Sequence, residues 1–98
     1  MAEAMIEVEN VNTPGRTSRV NAAKYHEMHA ALMAVFPTAS PGLTQKEMTA
    51  AVKPHLSEAL FPGGASSGWW AKTVQLDLEA KGQVVRLPTK PLTWHKVE

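Results

Sequence analysis

Arg16, Arg19, Lys46, Lys72, Arg86 and Lys90 are spaced along the chain where a polyanion could meet them. Guanidinium and ammonium groups neutralise phosphates, and such contacts position a protein on nucleic acid without reading its sequence. Each phosphate neutralised steepens the salt dependence of binding by about 0.9 in the log–log slope. Reading bases needs something else: side chains that match base edges, as Arg matches guanine and Asn or Gln matches adenine. Between residues 67 and 81 the candidates are Lys72, Thr73 and Gln75; that stretch holds no Arg and no Asn. Its Asp77 and Glu79 would repel a phosphate backbone. The adjacent Trp69 and Trp70 offer a different chemistry, stacking on bases or anchoring a partner, since Trp is enriched where binding energy concentrates.

Other chemistries are poorly supported. His26 and His29 sit three residues apart and could share a helical face, but a structural metal site usually needs four ligands and the chain has no cysteine. The stretch "PGGASSG" lacks the Gly-Lys-Ser/Thr ending of a phosphate loop. No Ser/His/Asp arrangement can be assembled. Neither an enzyme nor a bound cofactor or metal is expected.

The bulk properties set the frame. Ninety-eight residues make one domain with a small core, and 44% apolar content excludes wholesale disorder. The absence of cysteine fits a reducing cytoplasm. "MAEAMIEVEN" has acids and no Lys or Arg, so it does not read as a signal peptide, and no apolar run approaches the roughly 20 residues of a membrane span. The net charge of +1 gives nucleic-acid binding little help. Its distribution gives more: Arg16, Arg19 and Lys24 form one acid-free cluster, and Lys81, Arg86, Lys90 and Lys96 form another.

The elements that would position these residues follow from local signals. Ile6-Glu7-Val8-Glu9 alternates apolar and acidic, which suits either a short strand over 4–9 or a loose tail. Pro14-Gly15 fits a type II turn. A first helix over 21–36 is capped by Asn21, carries Tyr25, Met28, Leu32, Val35 and Phe36 on one face, and stops at Pro37. Thr44 and Glu47 form a capping box for a second helix, with Leu43 and Met48 as its staple. Pro54 breaks that helix at Lys53 and opens a short helical piece, "PHLSEALF". Ser66 or Ser67 caps a third helix that ends at Gly82. Strands at 83–87 and 92–97, joined by "PTKP", make a hairpin with Trp94 turned to the core.

Three helices followed by a hairpin resemble a winged helix-turn-helix. "LTQKEM" resembles the start of a scaffold helix, and Leu78 to Arg86 resembles the junction of recognition helix and wing in bacterial regulators. "NTPGRTSRVNAAKYHEMHAAL", "LFPGGASSGWWAKTVQLDLEAKG" and "KPLTWHK" are similar to a small uncharacterised bacterial family of about this length. The resemblance implies an α+β, mainly α fold: a winged helix-turn-helix with three main helices and a C-terminal hairpin wing over 21–98, preceded by an N-terminal arm over 1–20. It implies DNA binding only by analogy of fold. Residues 53–66, between the second and third helices, exceed the usual short turn of that motif.

On a helical wheel Trp70, Ala71, Val74 and Leu78 form the core stripe of the third helix. Trp69, Leu76 and Ala80 form a second apolar stripe, which should pack against the N-terminal segment or a partner. Two functions follow. The first is a small DNA-binding regulator, acting as a dimer on double-stranded DNA. Arg16, Arg19, Lys46, Arg86 and Lys90 would hold its backbone, with Lys72, Thr73 and Gln75 facing the groove. The alternative is an interaction module in which Trp69, Leu76 and Ala80 bind another copy or another protein. Neither reading involves a membrane.

Overall fold

The computed structural model describes residues 4–39 and 41–97; Met1–Glu3 of the expected N-terminal arm, with Ser40 and Glu98, lie outside the described residues. Three helices and two small sheets make an α+β fold, with most strand residues ahead of the third helix. The first sheet is a hairpin of β1 (Met5–Glu9) and β2 (Thr17–Asn21), antiparallel, with Ile6 opposite Val20 and Val8 opposite Ser18. Its turn closes through Arg16 N–H to the Thr13 carbonyl at 3.1 Å, with Gly15 at φ +85° supplying the left-handed position. The alternation of residues 6–9 turns Val8 inward and Glu7 and Glu9 outward.

The chain passes from β2 directly into α1 (Ala22–Val35). Asn21 caps that helix, accepting the Lys24 N–H at 2.9 Å, and the helix ends where Pro37 withholds a donor. α2 (Gln45–Val52) follows a two-residue strand, β3 (Leu43–Thr44). Its capping box is complete: Glu47 N–H donates to Thr44 Oγ1 at 3.1 Å, and Thr44 N–H donates to Glu47 Oε1 at 2.9 Å.

Two expectations fail between α2 and the third helix. Past a 3₁₀ turn at Lys53–His55 the chain does not continue as a helix to Phe61. Leu56 turns extended, and Glu27 of α1 takes both the backbone N–H and the hydroxyl of Ser57, at 3.0 and 3.1 Å. That draws the connector onto α1 and buries Phe61, whose ring meets Trp70 edge-on and lies under the Lys24 ammonium. Nor does a serine side chain cap α3 (Ser67–Ala80): Ser66 holds the cap position at φ +61° and makes no side-chain cap bond.

The far end of α3 closes as its sequence predicts. Gln83 N–H reaches the Leu78 carbonyl at 2.9 Å and Gly82 N–H the Glu79 carbonyl at 3.1 Å, with Gly82 left-handed. The chain then makes an antiparallel hairpin of β4 (Val84–Leu87) and β5 (Thr93–Lys96). β3 adds to its inner edge, giving the order β3-β5-β4. Gly42 makes that junction possible, since a Cβ there would lie 2.3 Å from the Trp94 carbonyl oxygen. One core serves the whole fold: Met28, Leu32, Met48, Val52, Val74 and Leu78 from the helices, Val8 and Val20 from the first hairpin, Val84 and Trp94 from the second.

Candidate nucleic-acid interface

α3 lies between the two hairpins, and a carboxylate on each side fixes one of them. Asp77 is fully buried. It accepts the Glu9 N–H of β1 at 2.9 Å, the Tyr25 hydroxyl of α1, and the Lys81 ammonium at 2.9 Å. Burial, then the bond to Asp77 and its negative charge, push the Tyr25 phenol well above its ordinary range. Glu79, two residues on, faces the other way. It accepts the Trp94 indole N–H at 2.9 Å, two bonds from Arg86 at 2.8 and 3.1 Å, and the Gln75 amide.

This arrangement sorts the expected contact residues. Arg16, Arg19, Lys46, Lys72 and Lys90 are exposed. Arg19 sits opposite Glu7 in the first hairpin, and Arg16 follows its turn. Gln75, expected to face a groove, is 1% exposed and hydrogen-bonded to Glu79. The correction has a plain cause: the second hairpin brings Arg86 and Trp94 against Glu79, and Gln75 one turn back is enclosed with them. Arg86, expected to hold phosphate, spends two N–H groups on Glu79 and stacks over the Trp94 ring, 5.7 Å from its centroid. Thr73 is half-buried in a groove beside Val8 and Val20.

The second apolar stripe of α3 is divided. Leu76 is 8% exposed, because β1 packs on that face, so it offers no open surface. Ala80 is exposed and borders the turn of the first hairpin, near Pro14 and Arg16. Trp69 stands 58% exposed at the rim of the Val8/Val20 groove, while Trp70 is buried. The covering segment is the N-terminal one, the first of the two occupants expected for this stripe.

The surface between hairpins and helices forms a cleft of about 320 Å³. Gln45 from the first turn of α2, Lys72 and Gln75 from α3, Arg86 from β4 and Asn12 from the first hairpin's turn converge on it. Asn12 and Gln45 had no sequence signal, since neither lies on the third helix and only the fold brings them beside it. Lys72 has no acidic partner among the described residues, and Lys46 is adjacent in sequence to Gln45. His29 stacks on Tyr25, and no three His, Asp or Glu side chains gather as a metal site among the described residues. No helix among the described residues is long and apolar enough to cross a membrane.

No curated protein and no solved structure matches the chain. Residues 5–94 match a family of unknown function, DUF6958, which takes in both hairpins and all three helices as far as Trp94. The chain belongs to that family.

Proposed function

We propose that this protein binds nucleic acid duplexes through their phosphates, on a winged-helix scaffold and with little base reading. The connectivity supports the scaffold: α1, α2 and α3 followed by the β4–β5 hairpin is the order that the winged-helix resemblance implies. The first hairpin is an addition to that plan. The observation that carries the function is the cleft where the first turn of α2, the middle of α3 and the second hairpin meet, with Lys72 exposed on it. Lys46, Lys72 and Lys90 supply charge without acidic partners among the described residues, while the side chain suited to reading adenine, Gln75, is buried. Backbone contacts from Arg16 and Arg19 would extend the footprint along the first hairpin. A chain without cysteine fits a cytoplasmic setting for this activity.

Titration of a randomised DNA duplex at low and moderate salt tests the reading. Binding at low salt that weakens with salt supports it, and Lys72→Ala should lower the log–log slope by about 1. No binding at low salt overturns it. The exposure of Trp69 beside an apolar groove favours a second reading, a protein-interaction module that uses the face next to the first hairpin. Saturable protein association lost in Trp69→Ala, with duplex binding absent, would select that reading instead.

A further inference from the structure

The cleft holds more than charge. Three carboxamide side chains, Asn12, Gln45 and Gln75, reach it from three separate elements. Carboxamides pair a donor with an acceptor and so complement the edge of a nucleobase. Gln75 and Gln45 are too recessed to reach a base stacked inside a duplex: Gln75 is 1% exposed and Gln45 Nε2 is buried. Gln45 Nε2 also has no hydrogen-bond partner among the described residues. A buried N–H without an acceptor costs roughly 1–3 kcal/mol, so an acceptor that reached this atom would be stabilised. Gln75 donates to Glu79 and keeps its carbonyl oxygen as an acceptor. The exposed Leu92 supplies apolar surface, and the Arg86 guanidinium is fixed by two bonds to Glu79. Lys72 lies on the same cleft and is exposed for a phosphate. The volume of about 320 Å³ falls at the small end of ligand pockets, room for one small ligand and not for a stacked pair.

We infer that this cleft takes a single nucleotide unit, its base unstacked against Gln45 and Gln75 and its phosphate on Lys72. The unit comes either from a free nucleoside monophosphate or from an unpaired residue of a strand, because both present a base edge and a phosphate. The inference shares the cleft and Lys72 with duplex binding but does not depend on it, and single-stranded or monomeric probes against a blunt duplex separate the two.

The test follows the side-chain amide signals of Gln45 and Gln75 by NMR. The probes are a mixture of ribonucleoside monophosphates, a short mixed-sequence single strand, a blunt duplex and inorganic phosphate. Saturable shifts with the monophosphates point to a free nucleotide; shifts with the single strand alone point to an unpaired residue, and both support the inference. Gln45→Ala should weaken that binding roughly tenfold, the worth of a well-made hydrogen bond. Gln45→Glu, which keeps the shape but replaces the donor with an anion, should weaken it at least as much. Inorganic phosphate matching the monophosphates at equal concentration would reduce the cleft to an anion patch and overturn the inference. No shift with either nucleotide probe, or an unchanged affinity in both Gln45 variants, would overturn it too. Failure of the duplex titration alone would remove the duplex reading and leave this one standing.

Discussion

Two hairpins grip α3 by two carboxylates only two residues apart, yet the grips differ in kind. Asp77 meets its hairpin inside the core: its partners are a backbone N–H, a buried phenol and an ammonium about a third exposed. Glu79 meets its hairpin nearer the surface, through a partly exposed guanidinium and an indole N–H. The N-terminal hairpin adds Val8 and Val20 to the core, and the C-terminal one adds Val84 and Trp94, so apolar burial does not distinguish them. The polar anchors do. A buried anchor leaves unpaired groups when it is lost, whereas an exposed partner returns to water. One hairpin is therefore clamped to the helix and the other is leaned against it, with the cleft on the leaning side.

The largest expected effect comes from the extra hold on the leaning hairpin. β3 ties it to α2 at Gly42, which is left-handed at φ +76° and has no room for a Cβ beside Trp94. Gly42→Ala should cost roughly 3–4 kcal/mol, combining the left-handed penalty with a backbone overlap that must push β5 away. Thermal unfolding measures it, and a loss under about 1 kcal/mol would mean that the β3–β5 contact is easily surrendered.

Removing the carboxylates compares the anchors directly. Asp77→Ala strands the Tyr25 hydroxyl and the Glu9 N–H, for an expected loss of about 3 kcal/mol. Glu79→Ala strands the Trp94 indole N–H and the Gln75 amide but frees Arg86 to water, for about 2 kcal/mol. Amide hydrogen exchange should localise each effect, with β1 losing protection in the first variant and β4–β5 in the second. Equal losses, or protection lost in the opposite hairpins, would undo the distinction.

The two hairpins were also unequally legible. The C-terminal one declares itself by strand-like runs around a proline-bounded turn, just after a glycine that ends a helix; such signals are local. So are the Asn21 cap, the Thr44–Glu47 box and the Gly82 close. The N-terminal hairpin has a weaker pattern, because only Ile6 and Val8 alternate clearly and its second strand, "TSRVN", offers one inward apolar side chain. Its polar tie to α3 is Asp77, an acid 68 residues from Glu9 whose sequence neighbourhood says only polar. The covering of Leu76 was expected in kind, since a helix apolar on two faces must pack on both. The site was legible as a set of cations. The burial of Gln75 was not, because it follows from Glu79 gathering partners seven and fifteen residues downstream. Local chemistry sets caps and turns, and long-range polar bonds decide which side chains remain available.

A pH series sharpens the buried side of the comparison. The Tyr25 phenol, raised by burial and by Asp77, keeps its proton in the folded chain at a pH where the unfolded chain, at an ordinary value of 10.0, has lost it. The proton excess of the native state makes stability fall as pH rises past about 10, by at most about 1.4 kcal/mol per pH unit. Below that pH both states hold the proton and the contribution is intact. Tyr25→Phe should cost about 1 kcal/mol at neutral pH and then descend less steeply at high pH than the parent. Parallel descents would show that Tyr25 is not sealed between Asp77 and α1.

Among the smallest effects on stability is that of Trp69, and its smallness is informative. The ring is 58% exposed and meets Trp70 edge-on at 5.1 Å. Truncating it removes the edge-on contact with Trp70 and part of a ring face, so Trp69→Ala should cost about 1 kcal/mol. A large exposed indole beside an apolar groove is a candidate contact for a second copy. Sedimentation of the parent and of Trp69→Ala across a range of concentrations tests that contact directly. Self-association lost in the variant would assign the clamped side of α3 to a second copy, leaving the leaning side for the proposed nucleic-acid contact. Monomers in both would take Trp69 out of dimer formation. A stability loss well beyond the expected value would show that the indole is packed, with the clamped hairpin closing over it as it closes over Leu76.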